Sequence, residues 1–145
     1  MGVFLYNTEQ NSVKRIAEEL DSGFDCYYNS KSDDIIAIPS VSLFSNEEDL
    51  KEAFQTQLET IEKHHTDFIK FEVLQSFQSF KIMEQFVQLI TDQLLKAELE
   101  QILTNKKPFQ NFKYKIDHSE FRQDWFDFKR NALEKIVVNQ LNNPL

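Results

Sequence analysis

Residues 24–39, FDCYYNSKSDDIIAIP, contain the pattern that decides the fold class. Two short runs rich in apolar and aromatic residues flank the polar segment SKSDD, which predicts a β-hairpin with strands near residues 24–29 and 34–38. We expect Pro39 to end the second strand, because proline has no N–H to donate to a neighbouring strand. The segment FIKFEV at residues 68–73 alternates its side chains between two faces and predicts a third strand. Together these runs predict a three-stranded antiparallel sheet.

Helical spacing dominates the rest of the chain. Before the hairpin, residues 11–20 place apolar side chains at positions i, i+3, i+4 and i+7, the pattern of an amphipathic helix. A second helix is predicted from Ser45 or Asn46 to about residue 63. Everything after Leu74 has helical spacing. The helices predicted there are capped by Ser76 or Ser79 and by Thr91–Asp92, and two more begin at Pro108 and near Ser119.

Composition favours one compact α+β domain over residues 1–145. The chain has only 2 Gly and 3 Pro, which leaves little room for a turn-rich all-β fold, and its 14 Phe supply a large apolar core. We predict a small three-stranded antiparallel sheet with a predominantly helical C-terminal half packed on it. Residues 1–10 are a candidate loosely ordered N-terminal segment. The helix at 77–90 is apolar on two sides, so it is either the central buried helix or is covered by a second copy; the oligomeric state is left open.

The sequence predicts that the protein is located in the cytoplasm. Cys26 is the only cysteine, so no intramolecular disulfide can form, as is typical of proteins in a reducing compartment. The N-terminus has no basic stretch, and its apolar run from Val3 to Tyr6 is too short for a signal peptide or a membrane span. We therefore expect no membrane partner.

Charge is distributed unevenly along the chain. The formal net charge is −8; residues 1–105 contain 8 Lys+Arg and 19 Asp+Glu, whereas residues 106–145 contain 8 and 5. The first part thus carries −11 and the second +3. The acidic body would repel a long polyanion, so a protein partner is favoured over a nucleic acid.

The segment KKPFQNFKYK, residues 106–115, interleaves four lysines with three aromatic residues. Such a strip could stack bases and neutralise phosphates, or it could bind an acidic protein. The three-residue spacing of Phe109 and Phe112 favours the simpler interpretation that both face the core and leave the lysines in water. The candidate partner-binding residues are Lys106, Lys107, Lys113, Lys115, Arg122, Lys129 and Arg130.

No catalytic residue, cofactor site or metal site is predicted. His64, His65 and Asp67 have metal-ligand side chains, but neighbouring residues point in different directions and chelate poorly. Cys26 is a candidate nucleophile with His118 or the paired histidines, although a lone cysteine in a strand is more often a packing residue. No phosphate-binding or hydrolase motif occurs. An enzyme with a site between sheet and helices remains an alternative, marked by a deep cleft with perturbed titratable groups.

Four segments resemble one known family. They are GFDCYYNSKSDDIIAIP at 23–39, SFKIMEQFV at 79–87, KKPFQNFK at 106–113 and RQDWFDFK at 122–129. In this order and spacing they resemble the bacterial uncharacterised protein family 0158, over about residues 16–140. The resemblance implies a small cytoplasmic bacterial protein, and it assigns no activity, substrate or catalytic residue. The function expected from the residues is therefore a non-enzymatic module that binds a protein, with binding of RNA or single-stranded nucleic acid as the alternative.

Overall fold

The computed structural model of the protein describes residues 7–40 and 46–143. The described elements are, in chain order, α1 (Asn7–Asp21), β1 (Phe24–Asn29), β2 (Asp34–Pro39), α2 (Glu47–Ala53), α3 (Gln55–Lys63), β3 (Phe68–Phe71), α4 (Ser76–Leu89), α5 (Gln93–Thr104), α6 (Pro108–Asp117) and α7 (Arg122–Asn142). The predicted α+β class, with a three-stranded antiparallel sheet and a helical C-terminal half, is confirmed.

The chain forms two compact units. Among the described residues, unit 1 comprises 7–40, 46–73 and 133–143, and unit 2 comprises 74–132. The prediction of a single domain stays a prediction. Helix α1 begins at Asn7, inside the segment predicted to be loosely ordered, and residues 1–6 of that segment lie outside the described residues.

The sheet of unit 1 has the order β2-β1-β3, with both neighbours antiparallel to the central strand. Cys26 on β1 lies opposite Ala37 on one side and Phe71 on the other. Strand β2 is an edge strand that ends at Pro39, as predicted. The third strand is two residues shorter than predicted, because the N–H of Val73 donates to Asp25 Oδ1 at 2.9 Å.

Helix α1 covers part of this sheet with its predicted apolar face. Val13, Ile16, Ala17 and Leu20 are all buried. A polar contact attaches the same helix to the hairpin turn: Asp33 Oδ1 accepts hydrogen bonds from the hydroxyls of Ser12 and Tyr28. Asp33 has a φ of 65°, a left-handed conformation that aspartate tolerates better than most residues. Accordingly, both packing and hydrogen bonding connect the hairpin to α1.

The helix predicted over residues 46–63 is interrupted at Phe54. Its predicted start is confirmed, since Asn46 Oδ1 accepts a hydrogen bond from the Asp49 N–H at 2.8 Å; the alternative start, Ser45, lies outside the described residues. At Phe54 the backbone leaves helical geometry, with φ −119° and ψ 29°, and α3 follows. Apolar spacing continues through this kink, so periodicity alone predicts one helix.

An aromatic cluster occupies the interior of unit 2. The Trp125 ring lies 5.3 Å from Phe86 and 5.0 Å from Phe112, measured between centroids, and Phe128 lies 5.4 Å from Phe86. These separations lie in the range in which tilted and edge-to-face aromatic pairs stabilise a core. Helices α4, α6 and α7 each contribute at least one of these rings.

Two predicted helix starts behave differently. Asp92 caps α5 as predicted, because its Oδ1 accepts a hydrogen bond from the Leu95 N–H at 3.1 Å. The predicted serine caps of α4 are wrong, since the cap is Gln75, whose N–H donates to Gln78 Oε1 at 2.9 Å. Gln78 thereby makes the contact that a glutamine at the third helical position makes in a capping box, in which its side chain accepts the N–H of the cap residue.

The expectation that Phe109 and Phe112 both face the core is confirmed for Phe112 and wrong for Phe109. Phe112 is 1% exposed, whereas Phe109 is 42% exposed. Helical side chains lean toward the N-terminus, and Phe109 lies in the first turn of α6. Its ring therefore reaches past the buried face and contacts Phe80 edge-on, with centroids 6.2 Å apart.

This difference predicts unequal costs of truncating the two rings. Phe112→Ala should lower the free energy of unfolding by about 3–5 kcal/mol, because it leaves a cavity beside Trp125. Phe109→Ala removes a partly solvated ring and should cost about 1 kcal/mol. Thermal unfolding followed by circular dichroism compares them. Equal losses of stability would contradict the difference in burial.

The thiol of Cys26 lies in the interior, 0% exposed, with its Sγ 3.9 Å from the carbonyl oxygen of Ile16. Burial, aided by the carboxylates of Glu19 and Asp25, raises the pKa of Cys26 to about 12. A thiol must lose its proton to act as a nucleophile, so this environment favours the packing role.

Native Cys26 should therefore resist thiol reagents. At about pH 8 we expect an aromatic disulfide reagent to modify the folded protein roughly a hundredfold more slowly than the chain unfolded in guanidinium, because the native thiol is both protonated and inaccessible. Release of the coloured thiol reports the rate. Rapid modification of the folded protein would restore Cys26 as a candidate nucleophile.

Candidate interaction surface

All seven basic residues predicted to bind a partner lie in unit 2. Five of the seven side chains are exposed, and those of Lys115 and Lys129 are half-buried. They differ in what they contact. The structure divides them into four that are paired with carboxylates, Lys129, which lies over an aromatic ring, and two lysines at the start of α6. One of the four, Arg122, also lies over the Phe126 ring, 4.5 Å from its centroid.

Four of the seven cations are paired with carboxylates of the same unit. Lys113 Nζ lies 2.9 Å from Asp117 Oδ2, and Arg122 Nε lies 3.5 Å from Asp117 Oδ1. The hydrogen bond from Lys113 holds the pKa of Asp117 below its usual value. The two remaining pairs are Lys115 with Glu98 and Arg130 with Asp127. Pairing of this kind reduces the positive field available to an outside ligand.

The ammonium group of Lys129 lies over the Trp125 ring, 5.7 Å from its centroid. This position fits a cation–π contact, in which the ring face attracts the charge. The lysine thus covers the aromatic cluster of unit 2, which gives it a structural contact of its own.

Lys106 and Lys107 form no ion pair within the described part of the chain, and both side chains are exposed. They lie in the break between α5 and α6. Asn111 holds their backbone from inside α6: its side chain donates to the Lys106 carbonyl and its N–H donates to the Lys107 carbonyl, both at 3.1 Å. Lys107 adopts a left-handed conformation with φ 51° before Pro108 begins the helix. The backbone from which these two lysine side chains extend is therefore held in place by Asn111.

The two units differ strongly in net charge. Unit 2, residues 74–132, contains 9 Lys+Arg and 8 Asp+Glu, a net charge of +1; residues 1–73 and 133–145 contain 7 and 16, a net charge of −9. The net negative charge of the protein thus arises in unit 1.

A groove of about 520 Å³ opens on unit 2 beside the first turns of α4 and α6. Three phenylalanines account for most of its lining, and Phe77 is the most exposed of them, at 69%. The lining residues are Ser76, Phe77, Phe80, Lys81, Glu84 and Phe109. We call this feature the α4–α6 groove.

Sequence reasoning did not single out the α4 side of this groove. Phe77, Phe80, Lys81 and Glu84 follow one another at i, i+3, i+4 and i+7, so they share one face of α4. The sequence does contain a signal, because this face combines phenylalanines with two charged residues. The buried residues of the helix lie on other positions: Ile82, Met83, Phe86 and Val87.

Exposed large apolar side chains are concentrated in unit 2. Within the described residues they are Phe77, Leu89, Leu94, Phe109 and Tyr114. Tyr114 stacks against the imidazole of His118 with ring centroids 4.3 Å apart. Of these residues, Phe77 and Phe109 line the same groove, and contiguous apolar surface often marks an interaction site.

Two of the three residues that the sequence analysis weighed as metal ligands, His65 and Asp67, make contacts with other groups. No group of three or more His, Cys, Asp and Glu in 7–40 and 46–143 could hold a metal ion. His65 Nδ1 lies 3.1 Å from the Glu62 carbonyl oxygen, and Asp67 binds Lys31 at 2.9 Å. Across the same ranges, no helix has the length and apolar character needed to cross a membrane.

Comparison with known proteins identifies a family and nothing closer. No curated protein and no solved structure matches the chain. The model of the uncharacterised protein family UPF0158 matches residues 8–144, almost the whole sequence. The resemblance found in the four sequence segments is thereby confirmed, and the chain belongs to the UPF0158 family.

Proposed function

We propose that this protein is a non-enzymatic interaction module that binds a protein partner through the basic and aromatic surface of unit 2. The observation that carries the proposal is the location of the exposed large apolar side chains: those of the described residues all belong to unit 2. Protein interfaces are enriched in such aromatic side chains, and polar residues surround them.

Lys106 and Lys107 are the basic residues that best serve this role. They are exposed, they precede Phe109 in the chain, and no described carboxylate pairs with them. Charges at the rim of an interface mainly steer association and select the partner. The other five predicted residues contribute less in this proposal because each already contacts a side chain of its own unit.

The charge balance of unit 2 supports a protein partner over a nucleic acid. Sequence-independent binding of nucleic acid draws its affinity from several lysines and arginines that neutralise phosphates. Unit 2 has a net charge of only +1. Single-stranded nucleic acid remains the second candidate because Tyr114, 67% exposed, lies between Lys113 and Lys115 in the chain, and bases stack on such rings.

Reversing the two lysines should weaken binding of the partner. The tagged full chain captures candidate partners from cells, and each is then purified and titrated against the wild type and the double variant Lys106→Glu, Lys107→Glu. We expect the dissociation constant to rise about tenfold or more, equivalent to about 1.4 kcal/mol. A nuclease should leave the complex intact.

The matched control is Lys14→Glu with Lys63→Glu, which makes the same charge change at exposed positions of unit 1. It should change the dissociation constant by less than about twofold, because the altered charges lie outside the proposed surface. Equal weakening by both double variants would contradict the proposal. Binding to polyuridine with a steep salt dependence would favour the nucleic-acid candidate instead.

A further inference from the structure

We infer that the α4–α6 groove is a recognition site for an acidic peptide segment that inserts one aromatic or aliphatic side chain. The inference rests on the proposed function and goes beyond it, since it assigns the pocket and the chemistry of the ligand. Three features of the groove carry it: its phenylalanine lining, the lysines around it and its place at the start of two helices.

The lining suits an apolar side chain. Phe80 and Phe109 meet edge-on at 6.2 Å, and Phe77 beside them is 69% exposed. The groove has a volume of about 520 Å³ and is open to solvent, so a single side chain can enter it from outside. An inserted apolar side chain would remove these ring surfaces from water, which is the main source of affinity at such sites.

The surrounding charge suits an acidic ligand. Lys81 lines the groove, and Lys107 precedes Phe109 by two residues, so their Cα atoms lie within about 7 Å of each other. Lys106 precedes it by three. Lys81 and Glu84 are the charged residues of the lining itself, and the other two of these three lysines, Lys106 and Lys107, lie near Phe109 in the chain. None of the three forms an ion pair within the described ranges.

The helix ends add to the same preference. Ser76 and Phe77 lie in the first turn of α4, and Phe109 lies in the first turn of α6. Neither first turn contains an acidic residue that would offset the positive end of the helix dipole. A carboxylate of the ligand would therefore meet a favourable electrostatic potential at the N-terminus of α4 and at that of α6.

Another exposed apolar pair of unit 2, Leu89 and Leu94, does not line the groove. Leu89 lies twelve residues after Phe77 on α4, which places it about 18 Å farther along the helix. Leu94 is 74% exposed and follows the acidic cap Asp92. This pair thus provides an exposed apolar control surface outside the α4–α6 groove.

The test is selection from a phage-displayed library of random peptides, each about 12 residues long, against the full chain. We expect the enriched peptides to carry Asp or Glu around a Phe, Trp or Leu. Synthetic, fluorescently labelled copies of the enriched peptides are then titrated by anisotropy against the wild type and two variants. Phe77→Ala should weaken binding about tenfold or more, while Leu94→Ala should change it by less than about twofold. Both side chains are largely exposed, so both variants should retain the wild-type circular dichroism and melting temperature.

Several results would overturn the assignment of the groove. They are failure to enrich acidic peptides, equal binding of the enriched peptides to wild type and Phe77→Ala, and equal weakening by Leu94→Ala. Sedimentation velocity supplies a further one: a concentration-dependent dimer that Phe77→Ala abolishes would identify a second copy as the occupant. In each case, the proposed function would still hold if a captured protein bound the wild type but not the Lys106→Glu, Lys107→Glu variant. Failure of the groove assignment can therefore be distinguished from failure of the proposed function.

Discussion

The edge-to-face contact between Phe112 and Trp125 determines how unit 2 presents its surface. With their centroids 5.0 Å apart and Phe112 only 1% exposed, these rings set the rotation of α6 about its axis. Ile116, one turn later, is buried on the same side. Lys113 and Tyr114 consequently face solvent, and the first turn of the helix carries Phe109 to the groove. A different rotation of α6 would bury a lysine, which is costly without a partner.

Ion pairs within unit 2 determine which of the predicted basic residues remain available to a partner. All seven predicted cations belong to unit 2, but four of them form ion pairs with neighbouring carboxylates. Exposed pairs contribute little to stability, yet they reduce the charge that an outside ligand meets. Lys106 and Lys107 are not paired in this way, because they lie in the break between two helices, where no described carboxylate reaches them. The break thus matters to the proposed function as much as the residues in it.

In unit 1, polar side chains stabilise the fold by hydrogen bonding. The Asp33 carboxylate accepts two hydroxyl protons and fastens the hairpin turn to α1, and the Asp25 carboxylate ends β3 by accepting the N–H of Val73. Cys26 is protonated and enclosed between strands and helix, where burial raises its pKa. Asp25, Asp33 and Cys26 therefore contribute to the sheet and to its contact with α1.

Local patterns in the sequence by themselves determined the class of fold, both strands of the hairpin, the third strand, the cap at Asp92 and the start of α6 at Pro108. Each depends on residues within a few positions of one another, through backbone hydrogen bonding, side-chain alternation or the fixed φ of proline. The sequence also contained the basic set of side chains and the face of α4 that lines the groove. Only the tertiary structure decided that Phe112 is buried while Phe109 is exposed, that four of the seven cations are paired, and that Phe77 and Phe80 share a groove with Phe109. These outcomes depend on which side chains from distant parts of the chain meet, and periodicity along a single helix does not encode that.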